Sequence, residues 1–166
     1  MYAMNNNNCT AASILCSQPS AVAFLRGSGE YPNVSAAVRF YQTNGGVLIY
    51  TEANGLPRGS SVCSDQVFGF HIHSGGECSG NADDAFADAK THYDTRSCPH
   101  PAHAGDMPPL FGNNGKAVSV FLTGRFNVSE IIGRTVIIHA QPDDFTTQPS
   151  GNSGKKIACG VIRSAR

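Results

Sequence analysis

The histidines of this chain fall into two spacing patterns, and both suit metal chemistry. The first is His71-x-His73, within Val67-Phe68-Gly69-Phe70-His71-Ile72-His73. Side chains alternate along an extended strand, so Phe68, Phe70 and Ile72 face one way and both histidines the other. The same parity groups His139 with Thr135 and Ile137, opposite Val136 and Ile138. If that valine and isoleucine are core, His139 also faces outward. Three outward imidazoles on two strands supply the nitrogen donors that copper(II) favours in tetragonal arrangements. An isolated His-x-His is equally consistent with two solvated histidines on an edge strand.

The second pattern is His92-x7-His100-x2-His103-x2-Asp106. Zinc favours four nitrogen or oxygen donors in a tetrahedron, and short spacings let one loop wrap around the ion. Taken singly, each of these histidines reads as a solvated loop side chain. Their concentration with a carboxylate favours a ligand set.

Strands must position these residues. Alternating runs with β-branched and aromatic residues predict strands at Ala21–Leu25, Ala37–Tyr41, Val47–Thr51, Val67–His73, Ala117–Leu122, Thr135–Ala140 and Ile157–Ile162. Asn44-Gly45-Gly46 marks a tight hairpin between the second and third. From Ser74 to Gly115, about forty residues carry no clear strand, a length that is uncommon and usually functional or disordered. Ala82–Lys90 reads as a helical turn within it, and a shorter loop joins His139 to Ile157, carrying Asp143, Asp144, Gly151, Gly154, Lys155 and Lys156. The chain of 166 residues, 40% hydrophobic with 18 glycines and 9 prolines, suits one all-β domain: a Greek-key sandwich or flattened barrel with two long functional loops.

Composition excludes several classes of partner. A formal net charge of zero offers no electrostatic footprint for nucleic acid or an anionic membrane. No stretch approaches the length of a membrane span. The Asn-rich start lacks a signal-peptide pattern, which leaves a cytoplasmic protein or a mature exported form. Cys9, Cys16, Cys63, Cys78, Cys98 and Cys159 include no Cys-x-x-Cys pair and are too few for a disulfide scaffold. Cys98, beside the loop histidines, reads as an incidental thiol rather than a ligand.

Four phrases give the sequence a family likeness: Gly69-Phe70-His71-Ile72-His73, Ala104-Gly105-Asp106-Met107-Pro108, Ile132-Gly133-Arg134-Thr135-Val136-Ile137-Ile138-His139 and Ala158-Cys159-Gly160-Val161-Ile162. In order, and from about Ser20 to Ile162, the chain resembles the copper,zinc superoxide dismutases, the bacterial type more closely, since Cys78 follows His73 at a short interval. The resemblance implies that His71, His73, His92 and His139 bind copper. It implies that His92, His100, His103 and Asp106 bind zinc, with His92 bridging both metals. Asp143 would link a copper ligand to a zinc ligand, whereas Asp144 reads as a solvated turn residue. Cys78 and Cys159 would form the intrasubunit disulfide. Residues 1–19 fall outside the likeness as an N-terminal extension expected to be flexible, and 20–166 form the domain.

The activity so implied is conversion of the superoxide anion to dioxygen and hydrogen peroxide by copper redox cycling. His92 would carry a proton between steps, and Lys156 would attract the substrate. Lys156 stands where the family has arginine, and lysine offers a compact charge rather than a planar fork. Lys155 is the weaker candidate for this part and reads as an ordinary exposed charge. The interval from His100 to His103 is shorter than in typical members, a shortened zinc loop. A non-catalytic copper and zinc buffer or delivery protein on the same fold is the rival reading, a domain with purely structural zinc is a third, and a possible homodimer stays open beside a monomer.

Overall fold

The computed structural model describes residues 10–59, 61 and 66–165. Strands β1 (Ala21–Gly27), β2 (Ser35–Thr43), β3 (Gly46–Asn54), β5 (Phe70–His73), β7 (Lys116–Thr123), β8 (Thr135–His139), β9 (Lys156–Val161) and β10 (Arg163–Ser164) form one antiparallel sheet. Its order is β5-β8-β9-β1-β2-β3-β7, with β10 also on β1. The sheet curls into a half-barrel around its core. A second ladder joins β4 (Val67–Phe68) to β6 (Leu110–Phe111). These short strands directly precede β5 and β7, the two edges of the curl. The all-β class expected from the sequence is the class found.

Six of the seven predicted strands are present as single strands, several extended by one to three residues because backbone pairing continues past the apolar pattern, while the last two end one residue early, at His139 and Val161. The run Val67–His73 is not one strand. It breaks at Gly69, where the chain changes partner from β6 to β8. Gly69 donates its N–H to the Gln141 carbonyl and accepts from the His139 N–H, both at 2.8 Å. A Cβ there would press on the Ser153 side chain.

The expected helical turn over Ala82–Lys90 contracts to a 3-10 turn at Ala87–Ala89. Asn81 and Asp84 side chains accept from nearby backbone N–H groups and hold turns there instead. Among the described residues two short helices lie elsewhere, α1 (Ala11–Leu15) and α2 (Val128–Ile131), the latter opened by a capping box between Asn127 and Glu130. Among the described residues, no helix is long and apolar enough to cross a membrane.

One core fills the curl, with Ala23, Leu25, Val38, Phe40, Ile49, Phe70, Ile72, Val136 and Ile138 all buried within it. Pairing of Phe70 with Ile138 and of Ile72 with Val136 puts these side chains on one face. Parity then places Ile137 and Cys159 on the other face, in a second cluster with Phe86 and Ala89 of the long loop. The loop is therefore packed down on the outside of β8 and β9.

A disulfide between Cys78 and Cys159, 81 positions apart in sequence, ties that loop to β9. The Arg134 guanidinium lies 4.0 Å from the centre of the Tyr93 ring and donates to the Ser74 carbonyl at 3.0 Å, holding two further points of the loop. Among the described residues, Cys16 and Cys98 are in no disulfide. Cys9 and Cys63 lie outside the described residues.

Candidate metal centre

β5 sits at an edge of the sheet, and the long loop completes its pairing. Tyr93 donates its N–H to the Ile72 carbonyl at 2.8 Å, and the Ile72 N–H donates to the Gly105 carbonyl at 2.9 Å. These bonds bring His73 opposite His92, and His71 opposite Asp106. Gly105 is required by the close approach, since a Cβ there would collide with the Ile72 carbonyl.

The strand histidines do point away from the core, as alternation demands, but they are not solvated. His71, His73 and His139 are 0%, 2% and 4% exposed. The sequence placed them on an outer face; the loop covers that face and turns it into an interior.

Two donor groups result. His71, His73, His92 and His139 offer ligand atoms that all lie within 4.8 Å of one another, and so do His92, His100, His103 and Asp106. His92 belongs to both. All six histidines and Asp106, separated by up to sixty-eight positions in the chain, meet in one place.

Hydrogen bonds at one nitrogen of four of the rings, those of His71, His73, His100 and His139, fix which nitrogen is left for the centre. His73 Nδ1 faces the Lys90 carbonyl at 2.8 Å, and His139 Nδ1 faces the Gly154 carbonyl at 3.3 Å. Their Nε2 atoms lie 3.3 Å apart. Asp143 spans the two groups: its Oδ2 accepts from His71 Nε2 at 2.7 Å and its Oδ1 from His100 Nε2 at 2.9 Å. The Phe145 N–H also donates to Asp143, at 2.7 Å. Such partners orient ligand rings and set their tautomer.

The remaining nitrogens test whether metals fit. His71 Nδ1, His92 Nε2 and His100 Nδ1 are buried and have no hydrogen-bond partner. Buried polar atoms left unpaired are costly and rare, and here each belongs to a ring whose donor group is gathered around it. In the second group, Asp106 lies 2.7 Å from His92 Nδ1, 3.2 Å from His100 Nδ1 and 3.2 Å from His103 Nδ1. A tetrahedron with ligand bonds of about 2.0 Å has edges of roughly 3.3 Å, so the separations to His100 and His103 suit zinc, while the shorter one to His92 is a hydrogen bond. The first group offers imidazole nitrogens only, a donor set that suits copper.

Electrostatics keep the donors in the form that binds metal. Burial, reinforced by neighbouring histidines, pushes His73 and His139 well below their ordinary pKa. Burial also lowers His71, partly opposed by its bond to Asp143. For Asp143, burial would raise the pKa, but bonds from His71, the Phe145 N–H and His100 outweigh it and hold the carboxyl far below the usual range. Asp106 follows the same pattern: burial works against it, and the His92 bond with three histidine neighbours lowers it.

A cleft of about 490 Å³ leads to the first group, walled by His73, His92, His139, Lys156, Thr91 and Cys98 among others. Lys156 is thus beside the histidines, with its ammonium bonded to Asp84 and the Phe86 carbonyl. Lys155 points elsewhere, to Glu30 on the surface. Asp144 is an exposed turn residue that accepts from Thr146 and Thr147.

Sequence reasoning missed Asp84, the carbonyls of Lys90 and Gly154, and Gly151. At Gly151 φ is +68°, and a Cβ would strike the Asp143 carboxylate and the His100 ring. The clustering of Gly151 and Gly154 near Asp143 is the one signal that pointed toward this wall.

Residues 34–162 match the model of a family described as copper/zinc superoxide dismutase (SODC). The chain is 33% identical to "Superoxide dismutase (Cu-Zn) 2" of Aquifex aeolicus, over 92% of this chain and 95% of that protein. It is 35% identical to "Superoxide dismutase (Cu-Zn)" of Legionella pneumophila, over 82% of each. Identity to the protein of the same description from Deinococcus radiodurans is 30%, over 79% of this chain and 78% of that one.

Proposed function

The chain belongs to the copper/zinc superoxide dismutase family, and on that premise we propose how its own residues divide the work. The reaction converts two superoxide anions and two protons to dioxygen and hydrogen peroxide. His71, His73, His92 and His139 hold copper; His92, His100, His103 and Asp106 hold zinc. When bound, copper supplies one-electron redox chemistry and zinc a fixed positive charge. The observation that carries this reading is the set of three buried ring nitrogens, on His71, His92 and His100, that make no hydrogen bond among the described residues.

Each remaining residue has a definable task. His92 presents Nδ1 to the second group and Nε2 to the first, so its Nε2 is the atom at which the chain holds and returns a proton. Asp143 locks His71 and His100 in complementary orientations with one carboxylate. Lys156 supplies a cation at the cleft for an anionic substrate. The domain that does this comprises residues 20–166, with 1–19 outside it.

Metal analysis paired with a superoxide-consumption assay on the copper-loaded protein tests the proposal. The expected result is one copper and one zinc per chain with superoxide consumed, and a copper visible spectrum that responds to zinc removal. His92→Ala should abolish that response. A total near one metal per chain, or a copper spectrum indifferent to zinc in the unaltered protein, would refute the bridged arrangement. Sedimentation velocity on the same preparation decides whether the chain works alone or as a homodimer.

A further inference from the structure

Residues 100–106 carry three of the four donors of the second group, namely His100, His103 and Asp106. Among the described residues the segment has no helix, and its backbone meets a strand only at its far end, where Gly105 accepts the Ile72 N–H and Asp106 bridges to His71. Its internal backbone bonds are turns, from the Ala102 N–H to the Pro99 carbonyl and from the Asp106 N–H to the His103 carbonyl. A segment of that kind is held only as well as its outside partners hold it.

Two side chains from other connections close on it. Arg125, between β7 and α2, donates from Nη1 to the carbonyls of Pro101 and His103, both at 3.0 Å, and of Asp106 at 3.3 Å. Two of those three carbonyls belong to donor residues. Gln148, between β8 and β9, pairs reciprocally with His100: its Oε1 accepts the His100 N–H at 3.0 Å, and its Nε2 donates to the His100 carbonyl at 2.7 Å. Every donor residue in the segment is thereby gripped at its main chain.

We propose that Arg125 and Gln148 are positioning residues for the second metal site, a clamp that fixes the backbone of His100, His103 and Asp106 before zinc arrives. The inference rests on the assignment of those three residues as zinc ligands. All three bonds leave one nitrogen, Nη1, and the rigid plane of the guanidinium fixes the directions of the two N–H groups that share them. Groups that orient metal ligands typically change metal affinity tenfold to a hundredfold when removed.

Charge and geometry predict opposite results here. A guanidinium close to a dication repels it, so charge alone would make zinc bind more tightly once Arg125 is neutralised. The clamp requires the reverse.

The test is zinc affinity of the full chain, measured by competition with a chromophoric chelator, for the unaltered protein and for Arg125→Gln, Arg125→Lys and Gln148→Ala. Arg125→Gln and Gln148→Ala should each weaken zinc by about tenfold or more. Arg125→Lys, which keeps the charge and loses the rigid planar donor, should fall between. Copper affinity, measured in the same way, should stay within about twofold of the unaltered value. Unchanged or tighter zinc binding in Arg125→Gln would overturn the clamp, as would equal losses of copper and zinc, which mark general loosening. An unaltered chain that takes up no zinc would refute the ligand assignment itself, so the two failures are distinguishable.

Discussion

Lys156 donates to Asp84 Oδ2 at 2.7 Å and to the Phe86 carbonyl at 3.0 Å, so the cation at the histidine cleft is already paired. An ammonium has three donors. The two bonds fix its direction, which a flexible lysine otherwise lacks, while the carboxylate offsets much of its charge.

Asp84→Asn should therefore raise the rate at low ionic strength, by roughly twofold to tenfold within the range of electrostatic steering. The rate should also fall more steeply with salt, because attraction beyond a Debye length of about 10 Å at 0.1 M is screened. Lys156→Gln should lower the rate and flatten the salt response. Superoxide consumption across an ionic-strength series, normalised to bound copper, reads both; no change in either variant would make Lys156 a bystander.

The same pair sets a pH dependence. Burial would raise the Asp84 pKa, but the Lys156 bond, the Phe86 N–H and the Lys156 charge bring it below the ordinary value. A carboxyl depressed on folding contributes stability above its unfolded pKa of about 3.9 and loses it as pH falls through the lower folded value. The stability difference between the unaltered chain and Asp84→Asn should hold constant from about pH 8 to 5 and shrink below about pH 4. Denaturant titrations at stepped pH would show this, and a gap that widened toward acid would contradict it.

Gly151→Ala should damage the centre from its far wall. The added methyl needs both a positive φ and space held by Asp143 and His100. The cost in stability should be about 1–3 kcal/mol. Metal occupancy should fall at both groups, because Asp143 touches a histidine of each. Thermal denaturation and metal content measure the two effects.

Replacing Cys78 and Cys159 by serine should lower stability by about 2–5 kcal/mol, given the long loop their bond closes. The larger consequence should be kinetic. The loop that carries Asp84 and His92 would open more often, and zinc should leave faster to a chelator. Equal release rates in the oxidised protein and the double variant would separate the disulfide from the site.

Much of this architecture was legible beforehand, because alternation is a strong local signal. His71, His73 and His139 share a face for the same reason that Phe70, Ile72, Val136 and Ile138 share the opposite one. Their burial was not legible, since it depends on where a long loop lands, which no local pattern encodes. The break at Gly69 escaped notice because partner exchange between β6 and β8 is a tertiary event. The helix at Val128 was readable in its Asn-x-x-Glu box, which apolar alternation overshadowed. Asp84 pairs with a residue 72 positions away, and Gln148 with one 48 away, through single polar contacts that leave no periodic trace.

β5 has the strictest consequence. Slipping it by one residue against β8 would push His71 and His73 into the hydrocarbon interior and expose Phe70 and Ile72 to the loop. That slip would thus fail twice, by interring imidazoles among apolar side chains and by scattering the donors, and a slip of two residues, which keeps the faces, would still scatter the donors. The requirement for chemistry thus coincides with the requirement for folding, because the register that assembles the histidines also hides the phenylalanine and isoleucine.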